Sequence, residues 1–152
     1  MNITQIVSTR STCLKKKIGA ILVKNTMIIS SGYNGAPKRI KHCTNDPDLP
    51  ETCLRLKETK SLALEETCRA VHAEANAIIQ AAVNGVSTKE SSIYCLYFPC
   101  MMCAKLIIQA EIREIIFLTE HDMENERKIN MLRDANVELF KFTYTDGRIK
   151  YE

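Results

Sequence analysis

The chain has 152 residues, 45% of them apolar and 26% charged, enough for one domain (residues 1–152) with a substantial core and ordinary for a soluble globular fold. The net charge of +3, from 21 basic and 18 acidic side chains, is too weak a surplus for the concentrated basic face of a nucleic-acid binder. The Met-Asn-Ile-Thr start lacks the charged and apolar regions of a signal peptide, and no apolar run approaches the roughly 18 residues of a membrane span, so a reducing, cytoplasmic setting is expected.

Asn2 to Arg10 reads as a short amphipathic helix with Ile3, Ile6 and Val7 on one face. A run of three lysines, Lys15 to Lys17, follows. It reads first as a solvated face, with attraction of a phosphate as the sharper alternative. Ile18 to Val23 is a continuous apolar run and predicts a buried strand. Lys24-Asn25-Thr26 turns the chain, and Met27 to Tyr33 returns as the second strand of a hairpin. Residues 36–67 are the least regular stretch, punctuated by Pro37, Pro47 and Pro50, with some helix expected between Glu51 and Glu66. A connection this long is usually functional or anchored.

The regular part resumes at Val71. Val71, Ala75, Ile78, Ile79 and Ala82 recur at helical spacing, and Asn84-Gly85 stops the helix near Val83. Ser92 to Phe98 is a strand ended by Pro99. Cys100 to Ala110 is a helix with Met102, Leu106 and Ile107 inward. Glu114 to Leu118 is a strand, Met123 to Asn136 a helix with Ile129, Leu132 and Ala135 on one face, and Val137 to Phe142 a fifth strand. The Asp146-Gly147 turn allows a small terminal hairpin. Alternating strands and helices from Ser92 onward imply parallel strands with right-handed crossovers. The expected fold is therefore α/β: a five-stranded mixed sheet in three α/β/α layers.

Two short motifs carry chemistry. His72-Ala73-Glu74 offers a soft-metal ligand and a carboxylate two residues apart, and Pro99-Cys100-Met101-Met102-Cys103 supplies two thiolates. One His and two Cys make three ligands and leave a tetrahedral position open, which distinguishes a catalytic zinc from a closed structural one. Both ligand groups fall at expected helix N-termini, where backbone N–H groups and the dipole favour thiolates. Seven cysteines, an odd number, argue against a disulfide framework. Cys95 lies in an apolar run and reads as a core thiol.

His-x-Glu followed by Pro-Cys-x-x-Cys is the signature of zinc nucleobase deaminases, and the chain resembles the cytidine deaminase superfamily. Gly32-Tyr33-Asn34-Gly35, the segment Cys68 to Ile78, and Phe98-Pro99-Cys100-x-x-Cys103-Ala104-Lys105-x-Ile107-Ile108 narrow the resemblance to the deoxycytidylate deaminase family. It runs from about Arg10 to about Phe142. Transfer-RNA adenosine deaminases typically continue with Gly-Ala where this chain has Lys105-Leu106, and the Cys-x-His extension of riboflavin-pathway deaminases is absent. One departure is Glu111, where the family usually has a Gly suited to left-handed helix-capping geometry. Keeping that geometry with Glu costs about 1–2 kcal/mol.

The resemblance implies hydrolysis of dCMP to dUMP and ammonia, supplying dUMP for dTMP synthesis. It implies zinc on His72, Cys100 and Cys103, and Glu74 as the group that moves protons between water, ring N3 and the leaving amine. Asn34 and Asn76 become candidates for sugar or base contacts. Among the cations available for a phosphate (Arg10, Lys38, Arg39, Lys41 and Arg69), Arg10 is favoured because it precedes the first strand. The family also suggests a homo-hexamer controlled by dCTP, with Mg²⁺, and by dTTP, with Gly32, Tyr33, Asn34 and Gly35 as the effector loop. A second, structural zinc is expected on Cys13, Cys43, Cys53 and Cys68, with His42 as a substitute ligand. Cys13 and Cys43 match ligand positions in some deoxycytidylate deaminases. The rival readings are a deaminase of another cytosine or adenine substrate, nucleoside or tRNA, and a zinc-stabilised module without turnover. Glu74 speaks against the module, since a structural site has no use for an unligated carboxylate.

Overall fold

The structure, a computed structural model, describes residues 1–44, 53, 68–120 and 126–150. The helix expected between Glu51 and Glu66, and the start of the one expected from Met123, lie outside these residues. The described elements are α1 (Asn2–Ser8), β1 (Gly19–Lys24), β2 (Met27–Tyr33), α2 (Ala73–Val83), β3 (Ser92–Tyr97), α3 (Met101–Gln109), β4 (Glu114–Thr119), α4 (Glu126–Asp134), β5 (Glu138–Thr143) and β6 (Gly147–Lys150).

They build one sheet in the order β2-β1-β3-β4-β5-β6. β1 is antiparallel to both β2 and β3, while β3, β4 and β5 run parallel. The sheet has six strands rather than five, because the terminal hairpin closes and pairs β6 with β5 antiparallel. Register explains the core. Ala20 lies beside Cys95 and Cys95 beside Phe117; Leu22, Ile93, Ile115 and Leu139 form the next row. All seven are at most 2% exposed and cluster with residues of α2 and α3. α2 packs on this face against β1 and β2, α3 touches α2, and α4 touches α3. α1 lies over the other face, against Gly19, whose side of the strand is opposite to that of Ala20.

The inward faces of three helices differ from expectation. α2 buries Ala73, Ala77 and Ala81, while Ile79 and Val83 are exposed. The cause is Gly32 on β2: a Cβ there would collide with the Ala73 carbonyl and the Ala77 backbone nitrogen, so helix and strand approach at backbone distance and only small residues fit between them. α3 buries Cys103, Ala104 and Ile107 and turns Met102 and Leu106 outward. Cys103 faces the site, and at 100° per residue that orientation carries positions 102 and 106 away from the sheet. In α1, Thr4 is buried and Ile3 and Ile6 are exposed.

The C-terminal ends of α2, α3 and α4 follow a single pattern. Val86 N–H donates to Ala81 O, Ile112 N–H to Ile107 O, and Val137 N–H to Leu132 O. These are six-to-one Schellman closures with a left-handed residue at Gly85, Glu111 and Asn136, at φ 67°, 53° and 56°. Glu111 therefore keeps the geometry expected of a glycine.

Candidate active site

Sheet and helices bring the two sequence motifs to one place. His72 is the N-cap of α2 and Cys100 the N-cap of α3, and neither side chain caps its own helix. A capping Ser, Thr, Asp or Asn at such a position typically contributes about 1 kcal/mol; here that stabilisation is absent and the side chains turn towards each other. His72 Nδ1 lies 3.4 Å from Cys100 Sγ and 3.5 Å from Cys103 Sγ. The three donor atoms fall within 4.8 Å of one another. Around a tetrahedral zinc with ordinary N and S bond lengths, the ligand–ligand edges would be about 3.5–3.8 Å, so these residues fit that ion. Among the described residues this is the group of three His, Cys, Asp or Glu side chains that converges so closely.

The backbone around His72 is pinned on both sides. Gly35 and Val71 form an isolated antiparallel bridge. The Asn76 amide donates to Tyr33 O at 2.8 Å and, more weakly, to Val71 O at 3.3 Å. On the other side, Phe98 N–H donates to Thr119 O at 2.9 Å, which fixes the chain just before Pro99 and Cys100. Phe98 stacks edge-on against Phe117 at 5.0 Å, and the buried Lys128 Nζ sits 4.8 Å from its ring centroid.

Glu74, in the first turn of α2, is 6% exposed. Burial raises its pKa, opposed by a backbone N–H and by the nearby imidazole. Cys103 Sγ lies 3.7 Å from Glu74 Oε2. The Cys103 thiol, with His72, lowers Cys100 to about 3, while the same hydrogen bond and burial push Cys103 upward. Cys95 is fully buried, as expected of a core thiol, and burial raises its pKa.

A cleft of about 330 Å³ opens over Glu74 and His72; Lys15, Lys16, Tyr97 and Phe98 are among its walls. Of the sequence candidates, Asn34 also lines it. The Asn34 amide group is taken up by the protein: Nδ2 donates to Lys16 O and Oδ1 accepts from Ile18 N–H. Asn76 holds backbone, as described. Arg10 is exposed at the end of α1, its N–H donating to Val7 O, and it is not among the residues lining the cleft. The lysines that do line it belong to the run that the sequence marks, and Tyr97 and Phe98 sit beside the Cys-x-x-Cys motif without a signature of their own. Cys13, Cys53 and Cys68 line the same cleft.

The model of the cytidine and deoxycytidylate deaminase zinc-binding region matches residues 1–119. The deoxycytidylate deaminase of Saccharomyces cerevisiae is 30% identical over 96% of this chain, and that of Enterobacteria phage T4 31% identical over 92%. The match spans 86% of the phage protein but 44% of the yeast protein, so the chain covers less than half the length of that relative. Among solved structures, the dCMP deaminase of cyanophage S-TIM5 in complex with dCMP and dUMP superposes with a TM-score of 0.70, at 26% identity and over 93% of this chain and 92% of that one. The fold and the convergent His72, Cys100 and Cys103 agree with this match, and the chain belongs to the cytidine and deoxycytidylate deaminase family.

Proposed function

We propose that the protein hydrolyses dCMP to dUMP and ammonia. The observation that carries this reading is Glu74, buried and unligated beside the convergent His72, Cys100 and Cys103 in a cleft whose rim bears lysines. Zinc held by those three residues would supply Lewis acidity and water whose pKa is lowered to about 7. Glu74 moves the protons: it takes one from water and delivers it to ring N3, then takes a second from the hydroxyl added at C4 and passes it to the amine, which leaves as ammonia. Burial raises its pKa, a direction that suits a group that must both accept and donate a proton. Tyr97, on the cleft wall, offers aromatic surface to a pyrimidine. Lys15 and Lys16, which line the same cleft as Glu74, rather than Arg10, are the cations this reading assigns to the 5′-phosphate. The relatives and the cyanophage structure named for dCMP support this substrate.

The test is ammonia release from dCMP, CMP, deoxycytidine and an adenosine-bearing RNA, measured in parallel. dCMP is expected to lead; a lead for the RNA or for deoxycytidine overturns the assignment.

On the same reading the second zinc belongs to Cys13, Cys43, Cys53 and Cys68. Contacts between their chain neighbours support this: Thr12 Oγ1 meets His42 Nδ1 at 3.1 Å, and Arg69 donates to Lys41 O at 3.1 Å. The Cys43 thiol, raised chiefly by burial, also feels the charges of Cys13, Cys53 and Cys68. A homo-hexamer is supported by exposed apolar side chains on two neighbouring helices, Ile79 and Val83 on α2 and Met102 and Leu106 on α3. Control by dCTP with Mg²⁺ and by dTTP is proposed at Gly32 to Gly35, which adjoin the His72 helix through the Gly35–Val71 bridge. Sedimentation with and without dCTP tests both: a monomer indifferent to dCTP overturns them.

A further inference from the structure

The segment between α1 and β1 has no regular structure, yet it carries the two lysines of the cleft. Its backbone is held by one buried pair. Asn34, 6% exposed, donates from Nδ2 to Lys16 O at 2.6 Å, accepts at Oδ1 from Ile18 N–H at 2.8 Å, and donates its own N–H to Ile18 O at 3.1 Å. Ser11, 7% exposed, lies 2.6 Å from Asn34 Oδ1 and 2.7 Å from Asn34 O, so its single proton is shared between the two oxygens. Its oxygen also accepts from Cys13 N–H at 3.2 Å. Two side chains therefore tie both ends of the 11–18 segment to the end of β2. Lys16 Nζ rests 4.9 Å from the Tyr97 ring centroid, a further hold on one lysine head.

We propose that Ser11 and Asn34 are positioning residues for substrate discrimination: they fix the backbone that presents Lys15 and Lys16 to the phosphate of a deoxynucleotide. The inference rests on the nucleotide reading above. A lysine is a flexible point charge, and its grip on a phosphate depends on where its backbone stands. Loosening that backbone weakens a contact remote from the reacting ring. Such a contact is made equally in the ground and transition states, so its loss shows in KM and not in kcat. A deoxynucleoside, having no phosphate, does not sense the change.

The experiment compares Ser11→Ala with the wild type on dCMP and deoxycytidine, with zinc content measured on the same samples. Ser11→Ala is expected to raise KM for dCMP about tenfold, the scale of one buried hydrogen bond. The kcat for dCMP should stay within about twofold, and kcat/KM for deoxycytidine should not change. Ser11→Thr, which keeps the hydroxyl, should restore most of the dCMP affinity. Asn34→Asp, which puts an oxygen where Nδ2 donates to Lys16 O, should raise KM for dCMP further, and Lys15→Ala should reproduce the effect directly. Equal losses on both substrates, or an unchanged KM for dCMP in both the Ser11→Ala and Asn34→Asp proteins, overturn the positioning role while leaving the nucleotide reading intact. A wild-type enzyme that does not prefer dCMP to deoxycytidine overturns that reading, and this inference with it.

Discussion

The chain holds two groups of thiols near one cleft and places them by opposite means. Cys100 and Cys103, with His72, stand at the starts of helices whose positions are set by a six-stranded sheet, and their donor atoms converge within 4.8 Å. Cys13, Cys43, Cys53 and Cys68 stand outside the described helices and strands, where hydrogen bonds join Thr12 to His42 and Arg69 to Lys41. They do not form a second group as tight as the first. Apolar packing assembles the first site, so a metal held there would be free to serve chemistry. For the second, the energy of metal binding would itself be folding energy.

That contrast orders the expected effects of substitution. Cys100→Ser should abolish measurable ammonia release and remove one zinc. It should leave the melting transition nearly in place, because the sheet and not the ion organises the helix starts; a chain that unfolds instead would erase the distinction. Cys43→Ser should reduce two zincs per chain to one, retain the catalytic metal, and lower stability by several kcal/mol, read from zinc content and chemical denaturation. One zinc in the wild type, with all four thiols titratable, ends the second-site proposal. Gly32→Ala tests the scaffold: the added methyl meets the α2 backbone at Ala73 and Ala77. A loss of at least about 1–3 kcal/mol is expected, with a lowered kcat as His72 and Glu74 move; a neutral outcome would mean that α2 is not seated on β2 as described. The smallest effect belongs to Glu111→Gly. Relief of the left-handed conformation should stabilise the protein by about 1 kcal/mol, since the Lys89–Glu111 ion pair lost with it is largely exposed and worth little. Destabilisation would show that this pair matters more than the backbone.

The same contrast explains what could be read from the chain beforehand. The convergence of His72, Cys100 and Cys103 was legible because these residues stand at or next to the helix starts that position them; the role proposed for Glu74 comes from the resemblance. The antiparallel opening hairpin and the parallel run of β3, β4 and β5 were legible from the turn after Lys24 and the alternation of strands and helices. The inward faces of α2 and α3 were not. Helical periodicity points to the large apolar residues Ile79, Met102 and Leu106, but contact with Gly32 selects the alanines and the Cys103 ligand selects the face of α3. α1 was misread for the same reason, since Thr4 is buried while Ile3 and Ile6 are not. Lys15 and Lys16 were visible only as a charge run; their place on the cleft depends on the Asn34 and Ser11 hydrogen bonds, which join residues 16 to 23 positions apart.

Glu74→Gln bears most directly on the claim that this buried carboxylate, and not one of the ligands, carries the proton chemistry. The amide keeps the shape and cannot exchange protons. Zinc content and ammonia release from dCMP should be measured on the same preparation. The expected result is full retention of the catalytic zinc with turnover reduced by at least about 10²–10⁴-fold; retained zinc with turnover within about tenfold of wild type would contradict the assignment of Glu74.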